Sequence, residues 1–255
     1  MALKRRYREE ICKDCGRRRE RMKLVLDACS RKEIVVRLPC ACLIEKHKQE
    51  EQKTKQQEMM RILRDRGFES GRYAQMSFAG LSDAHLGGDV MEGLDAYMRS
   101  IQLKQRNWLY LYGDYGVGKT HMAVALARKI ALERHWKPAL FSWAHYLSRV
   151  QQSWQDERVK VDWHLIRDSR LLVLDDMDKR AGTPWVLSNL YDIIDYRYMR
   201  QLPTIMTANR SLGELSAFWH TTEQSRDFSR ALISRIMGQL GKIIHLRAED
   251  FRLVG

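Results

Sequence analysis

The sequence predicts an α/β protein: a parallel sheet covered by helices on both faces, preceded by a small cysteine-bearing module and a helical linker. Three observations lead there. The apolar runs at 108–112, 171–174 and 203–208 show little polar alternation, as strands buried on both faces require. Stretches of helical period lie between them, so strands and helices alternate as in a doubly wound sheet. Four of the five cysteines fall in two tight pairs near the N-terminus, apart from those runs.

Residues 1–45 form the small module. The pairs Cys12-Lys-Asp-Cys15 and Cys40-Ala-Cys42 suit metal binding in a reducing compartment better than disulfides. Four thiolates give a closed, tetrahedral structural zinc site. The second pair is C-x-C rather than C-x-x-C, which keeps Cys29 and His47 as substitute ligands. Gly16 suits the turn under the sulfurs, and 34–38 reads as a short strand leading to the second pair. A segment this short, with few large apolar side chains, needs such a staple. Residues 46–67 are the linker. From 43 to 66 there is no Gly or Pro, and the helix is polar on nearly every face until Met59, Met60, Ile62 and Leu63.

Charge separates the same regions. The chain carries a net +13, and residues 1–66 hold 20 Lys and Arg against 11 Asp and Glu. That basic excess favours a polyanion, most simply nucleic acid, over a bare solvated surface. No run approaches the roughly 18 apolar residues of a membrane span. No apolar stretch follows the charged N-terminus, so the expected location is the cytoplasm, with no membrane partner.

The core domain spans 68–255. An apolar-periodic stretch at 90–101 predicts its first helix, and Phe78 is a candidate wall for an adenine ring or a plain core aromatic. The run at 108–112 leads into Gly113-Asp114-Tyr115-Gly116-Val117-Gly118-Lys119-Thr120, with His121 next. This is G-x-x-x-x-G-K-[ST] between a strand and a helix, the setting a phosphate-binding loop requires. Its glycines let backbone N–H groups curl round phosphates at a helix N-terminus. Lys119 adds a formal charge, and Thr120 offers its hydroxyl to Mg²⁺. The helix runs to about Arg134, and a second strand covers 138–143. Helices at 145–154 and 162–168 flank a polar stretch in which Arg149, Arg158 and Lys160 are candidate phosphate contacts, although each also suits a solvated face. The next strand ends in Asp175-Asp176, where open α/β sheets bind ligands. Asp175 would organise Mg²⁺, and Asp176 would take a proton from the attacking water. A helix at 185–199, a strand ending at Asn209, a helix at 229–240 and a strand at 243–247 complete the domain.

Taken together, GDYGVGKT, LLVLDDMD, TIMTAN and LISRI resemble the AAA+ ATPases of the bacterial and phage replicative helicase loaders, the DnaC/DnaI type, over roughly residues 68–255. The cysteine pairs resemble the zinc-bearing helicase-binding module of some loaders. The resemblance implies ATP as ligand and substrate, and it implies sensor 1 at Asn209. It places an arginine finger acting on a neighbouring subunit at Arg235, with Arg197 as competitor, and a sensor 2 arginine at Arg252. Helical material before residue 171 matches an insertion that lines a path for single-stranded DNA. The implied partners are a replicative hexameric helicase, single-stranded DNA and further copies of the chain in a spiral or ring. IstB-type transposition ATPases, which select duplex targets for a transposase, share closely similar core motifs and are the alternative.

Overall fold

The computed structural model describes residues 11–18, 21–25, 33–81, 87–103, 106–248 and 250. Two compact units divide between Glu58 and Met59. In the first, β1 (Arg21–Val25) and β2 (Glu33–Arg37) pair antiparallel, Arg21 opposite Arg37. Helix α1 (Ala41–Asp65) begins two residues before the expected start at 43, so Cys42 lies in its first turn. Its last turns belong to the second unit, where Met59 and Leu63 are buried. Gly67, at φ +82°, ends it with the Phe68 N–H bonded back to the Leu63 carbonyl.

The second unit continues with α2 (Gly88–Leu103), β3 (Trp108–Tyr112), α3 (Lys119–Arg134), β4 (Pro138–Ser142), α4 (Trp143–Ser153) and α5 (Trp163–Asp168). There follow β5 (Leu171–Asp175), α6 (Pro184–Met199), β6 (Thr204–Ala208), α7 (Leu212–Trp219), α8 (Glu223–Gln239) and β7 (Leu240–His245). Five parallel strands stand in the order β4-β5-β6-β3-β7. The period-2 geometry of each strand divides its side chains between two cores. Trp108, Tyr110, Leu172, Leu174 and Met206 face α4, α6 and α8. Leu109, Leu111, Leu171, Val173 and Ile205 face α2, α3 and the end of α1. This is the doubly wound arrangement the apolar runs predict.

Three differences from the sequence expectations have local causes. Helix α7 was not expected, yet Ser211 and Glu214 form a capping box at its start, and Leu215 and Trp219 bury its apolar side. Helix α8 begins at Glu223 rather than near 229, because Thr222 and Ser225 cap it reciprocally. The last strand starts at Leu240 because it continues directly from α8 and pairs with β3. No helix among the described residues is long and apolar enough to cross a membrane.

Candidate nucleotide-binding site

Three segments meet at the C-terminal ends of adjacent strands. The glycine-rich loop leaves β3, the acidic pair leaves β5 and Asn209 leaves β6. The loop needs glycine at Gly113 and Gly116, both at positive φ. A Cβ on the first would overlap the Leu246 carbonyl oxygen, and one on the second the Asp250 carboxylate. A side chain at either position would therefore be both strained and obstructed.

Behind the loop lies a hollow of about 500 Å³. From the expected loop residues, Tyr115, Gly116, Gly118, Lys119, Thr120 and His121 line it. Gly113, Asp114 and Val117 do not; the Val117 side chain is buried in the core, which leaves only its main chain for a ligand. The Lys119 ammonium, almost wholly buried, donates to the Gly113 and Asp114 carbonyls at 2.9 and 2.6 Å. Burial pulls its pKa down, while Asp176 and Asp178 oppose that shift.

Asp175 is fully buried. Its Oδ1 accepts from the hydroxyls of Thr120 at 2.8 Å and Thr207 at 2.7 Å. Its Oδ2 is also buried and has no partner among the described residues. Burial raises the Asp175 pKa, and the two threonine hydroxyls offset part of that shift. A buried carboxylate oxygen with a threonine hydroxyl beside it is the donor set a hydrated Mg²⁺ ion accepts. Asp176 lines the hollow at φ +58°, a left-handed conformation rare outside glycine and concentrated at functional sites. The Thr207 hydroxyl accepts from its N–H at 2.9 Å, so one side chain holds both acids in register.

Asn209 also lines the hollow. Its N–H donates to the buried Asp178 carboxylate at 3.0 Å and its side-chain amide at 3.2 Å, and the Arg210 guanidinium joins them at 2.9 Å. Sequence reasoning missed four contributors here. Thr207 was visible as a polar residue inside an apolar strand, and Asp178 as the third acid of Asp-Asp-Met-Asp. Arg72 and Lys179 complete the cationic lining, Lys179 lying 4.6 Å from the Tyr115 ring centroid, and neither carried a sequence signal. Phe78 does not line the hollow; it packs against the core with the Lys129 ammonium 5.6 Å from its ring. Met76, Gly80 and Leu81 supply the apolar wall instead.

The arginines separate by environment. Arg197 is fully buried, donating to the carbonyls of Ile166, Arg167, Ser169 and Pro203 and to the Thr204 hydroxyl. A guanidinium sealed in the core cannot reach another subunit, so its competing claim as arginine finger falls. It does lie in the last turn of α6, with its charge buried. Arg235 on α8 lies outside the hollow, partly exposed, and bonds Asp195 and the Tyr191 hydroxyl on α6. Arg149 and Lys160 line a second hollow, whereas Arg158 forks onto Asp156 and lines neither. Arg252 and Cys29 lie outside the described residues.

In the first unit, the sulfurs of Cys12, Cys15, Cys40 and Cys42 all lie within 4.8 Å of one another. The nearest pairs, Cys12 with Cys42 and Cys15 with Cys40, are 3.4 Å apart. A tetrahedral zinc–thiolate site has sulfurs about 3.8 Å apart, so the four fit such an ion. Their protonation is mutually opposed. The Asp14 backbone N–H leads in drawing the Cys12 thiol down to about 6, while Cys15 and its neighbours push Cys42 up. A dication removes that conflict by taking all four as thiolates. His47 is not part of the cluster.

A sequence profile for IstB-like ATP binding proteins matches residues 90–254. The chain belongs to that family. It is 29% identical over 133 residues to the replicative helicase loader DnaI of Bacillus subtilis, covering 52% of this chain and 42% of that protein. It is 24% identical over 147 residues to the chromosomal replication initiator protein DnaA of Onion yellows phytoplasma, covering 57% of this chain and 27% of that one. The chain thus spans less than half the length of either relative. Among solved structures, the DnaC helicase loader superposes with TM-score 0.56 at 21% identity, covering 70% of this chain and all of that one. DnaI superposes with TM-score 0.54 at 20% identity, covering 69% and 90%. These likenesses establish the AAA+ fold.

Proposed function

We propose that the chain is an ATP-driven loader that delivers a replicative hexameric helicase to single-stranded DNA in replication initiation or restart. The observation that carries the reading is the meeting of Lys119, Thr120, Asp176 and Asn209 around one hollow, with the buried Asp175, which does not line it, accepting from the Thr120 hydroxyl, in a family of ATP-binding proteins related to DnaI. In this reading the loop N–H groups and Lys119 hold the β- and γ-phosphates, and Arg72 and Lys179 add positive charge to the same hollow. Thr120 and Asp175 would hold Mg²⁺, which shields phosphate charge when bound. Asp176 takes the proton of a water whose oxygen attacks the γ-phosphorus as the bond to the β–γ bridging oxygen breaks, giving ADP and phosphate. Asn209, fixed by Asp178, orients that water. Asp176 is one methylene shorter than the glutamate usual in such sites, which bears on turnover rather than on ATP binding.

Arg235 supplies the transition-state cation to a neighbouring copy, an effect worth ~10³–10⁵ in rate in other NTPases. Its tether to Asp195 and Tyr191 holds it off its own hollow. Activity therefore rises with assembly into a spiral or ring, and hydrolysis releases the helicase. The cysteine module, holding zinc through Cys12, Cys15, Cys40 and Cys42, docks on the helicase, and the working compartment is the cytoplasm.

The second reading, selection of duplex targets for a transposase, draws on the family's IstB name. A pull-down with the full chain and ATP distinguishes them. Retention of a replicative helicase and stimulation of ATP hydrolysis by single-stranded DNA support the loader. Retention of a transposase with preference for duplex overturns it. Mixing inactive Lys119→Ala with inactive Arg235→Ala subunits should restore part of the ATPase activity; no recovery at any ratio removes Arg235 as the finger.

A further inference from the structure

Helix α3 begins with Lys119 and Thr120, so whatever else it grips is held in register with the phosphate loop. Met122, Val124, Leu126 and Ile130 are among the residues it buries, which fixes it in the core. His121 and Arg128 stand seven residues apart on it, close to two turns, and so share a face. Both reach the same stretch of chain, residues 69–80.

That stretch has little of its own to hold it. It contains two short 3-10 turns, Gly71–Gln75 and Phe78–Gly80, neither capped by a side chain at its start. Arg128 supplies what the turns lack. Its Nη2 donates to the Glu69 carboxylate at 2.7 Å, and its Nη1 reaches the Tyr73, Ala74 and Met76 carbonyls at 3.3, 3.0 and 3.3 Å. The Arg128 and Glu69 side chains are only 17% and 19% exposed, so the pair is largely withdrawn from water. His121 adds a second tie, its Nε2 lying 2.8 Å from the Ser77 carbonyl oxygen. A Cβ on Gly80 would come within 3.3 Å of that imidazole, so the backbone there lies directly against the ring.

The same stretch gives the nucleotide hollow Arg72, Met76 and Gly80, with Leu81 following. Met76, Gly80 and Leu81 are its apolar wall, the part suited to the flat faces of a base, whereas the glycine loop and Lys119 suit anions. Arg128 does not line the hollow and touches only the chain behind that wall.

We propose that Arg128 is a positioning residue for nucleotide selection: it clamps residues 69–76 to α3, so that the wall of Met76, Gly80 and Leu81 meets the base of ATP. The assignment rests on the reading of the hollow as an ATP site and names the side chain that sets its base end.

The test is calorimetric titration of the full chain with Mg²⁺ and either ATP or inorganic tripolyphosphate, which has the phosphates without the base, alongside hydrolysis kinetics. Wild type should prefer ATP. Arg128→Met should weaken ATP binding and raise KM by about tenfold with kcat at saturation unchanged, the pattern of lost ground-state binding. Its tripolyphosphate affinity should equal that of wild type, which also certifies the fold. Arg128→Lys, keeping the Glu69 pair but not the fan of carbonyls, should fall between the two. Lys119→Ala should lose both ligands. An equal loss of ATP and tripolyphosphate in Arg128→Met, or no loss of either, overturns the clamp while leaving the ATP site intact. If Arg128→Met does not fold, Arg128→Lys and Glu69→Gln decide by the same comparison: a loss confined to ATP supports the clamp, and any other pattern overturns it. A wild type that binds tripolyphosphate as tightly as ATP removes the base wall. One that binds neither ends the ATP reading and the clamp together.

Discussion

The cysteine module and the nucleotide cradle are held together by different means. The cradle stands on a five-stranded sheet with a buried core on each face, and its polar groups are tied across strands by Thr207 and Asp178. In the first unit, Cys12 and Cys40 are buried, and their sulfurs belong to the metal-type cluster. A core of that size stabilises its own polar site, whereas a short segment with a four-thiol cluster is the kind that a bound metal would stabilise.

Removing the metal should have the largest effect. A bound structural zinc contributes on the order of 10 kcal/mol in small modules, so Cys40→Ser should reduce bound zinc from about one per chain to none and expose the first unit to protease. ATP binding should survive. Elemental analysis with limited proteolysis measures both, and a folded, metal-free module breaks the contrast. Next, Arg197→Met should cost about 3–5 kcal/mol in urea unfolding of the core, because it takes the guanidinium donor from the Ile166, Arg167 and Ser169 carbonyls and leaves Pro203 with the Leu172 N–H alone. A near-neutral result would mean that the core tolerates orphaned polar groups after all. Lys119→Ala should weaken ATP binding by roughly 100-fold, about 2.7 kcal/mol, with little loss of fold. Unchanged affinity in a filter assay would refute the cradle.

The smallest effect concerns stability and pH. Burial raises the Asp175 pKa in the folded state, so the unfolded chain loses that proton first as pH rises. Stability contributed by this group therefore falls from the ordinary carboxylate range up to the folded pKa. Asp175→Asn should unfold at higher urea than wild type at pH 7–8, and the difference should shrink as pH drops toward 4. The same variant should lose Mg²⁺-dependent hydrolysis. A variant less stable at every pH would show that Asp175 acts as a structural acceptor for the two threonines rather than as a charge held for the metal.

Much of the cradle was legible because its parts are close in sequence. Gly113 through Thr120 specify a turn and a helix start by their own backbone preferences, and 171–176 puts two acids at the end of a strand by length alone. Trp108–Tyr112 could be read as a covered strand because it has no alternation to satisfy. Helix α7 was missed because its eight residues are too few for a clear period, although its Ser211–Glu214 cap was there to be seen. Arg197 stood as a competing finger because its burial had no local signal: the carbonyls that surround it come from α5, the α5–β5 turn and the residue before β6.

The sequence by itself determined most of the elements, the glycine loop, the acidic pair and the cysteine spacing, since each is set by covalent neighbours. The tertiary structure decided which distant polar groups share a proton or a charge: Thr207 with Asp175 across 32 residues, Asn209 with Asp178 across 31, and Arg66 with the edge strand across more than 70. Those pairings follow from strand order and register, which depend on the packing of the whole sheet and which no local pattern encodes.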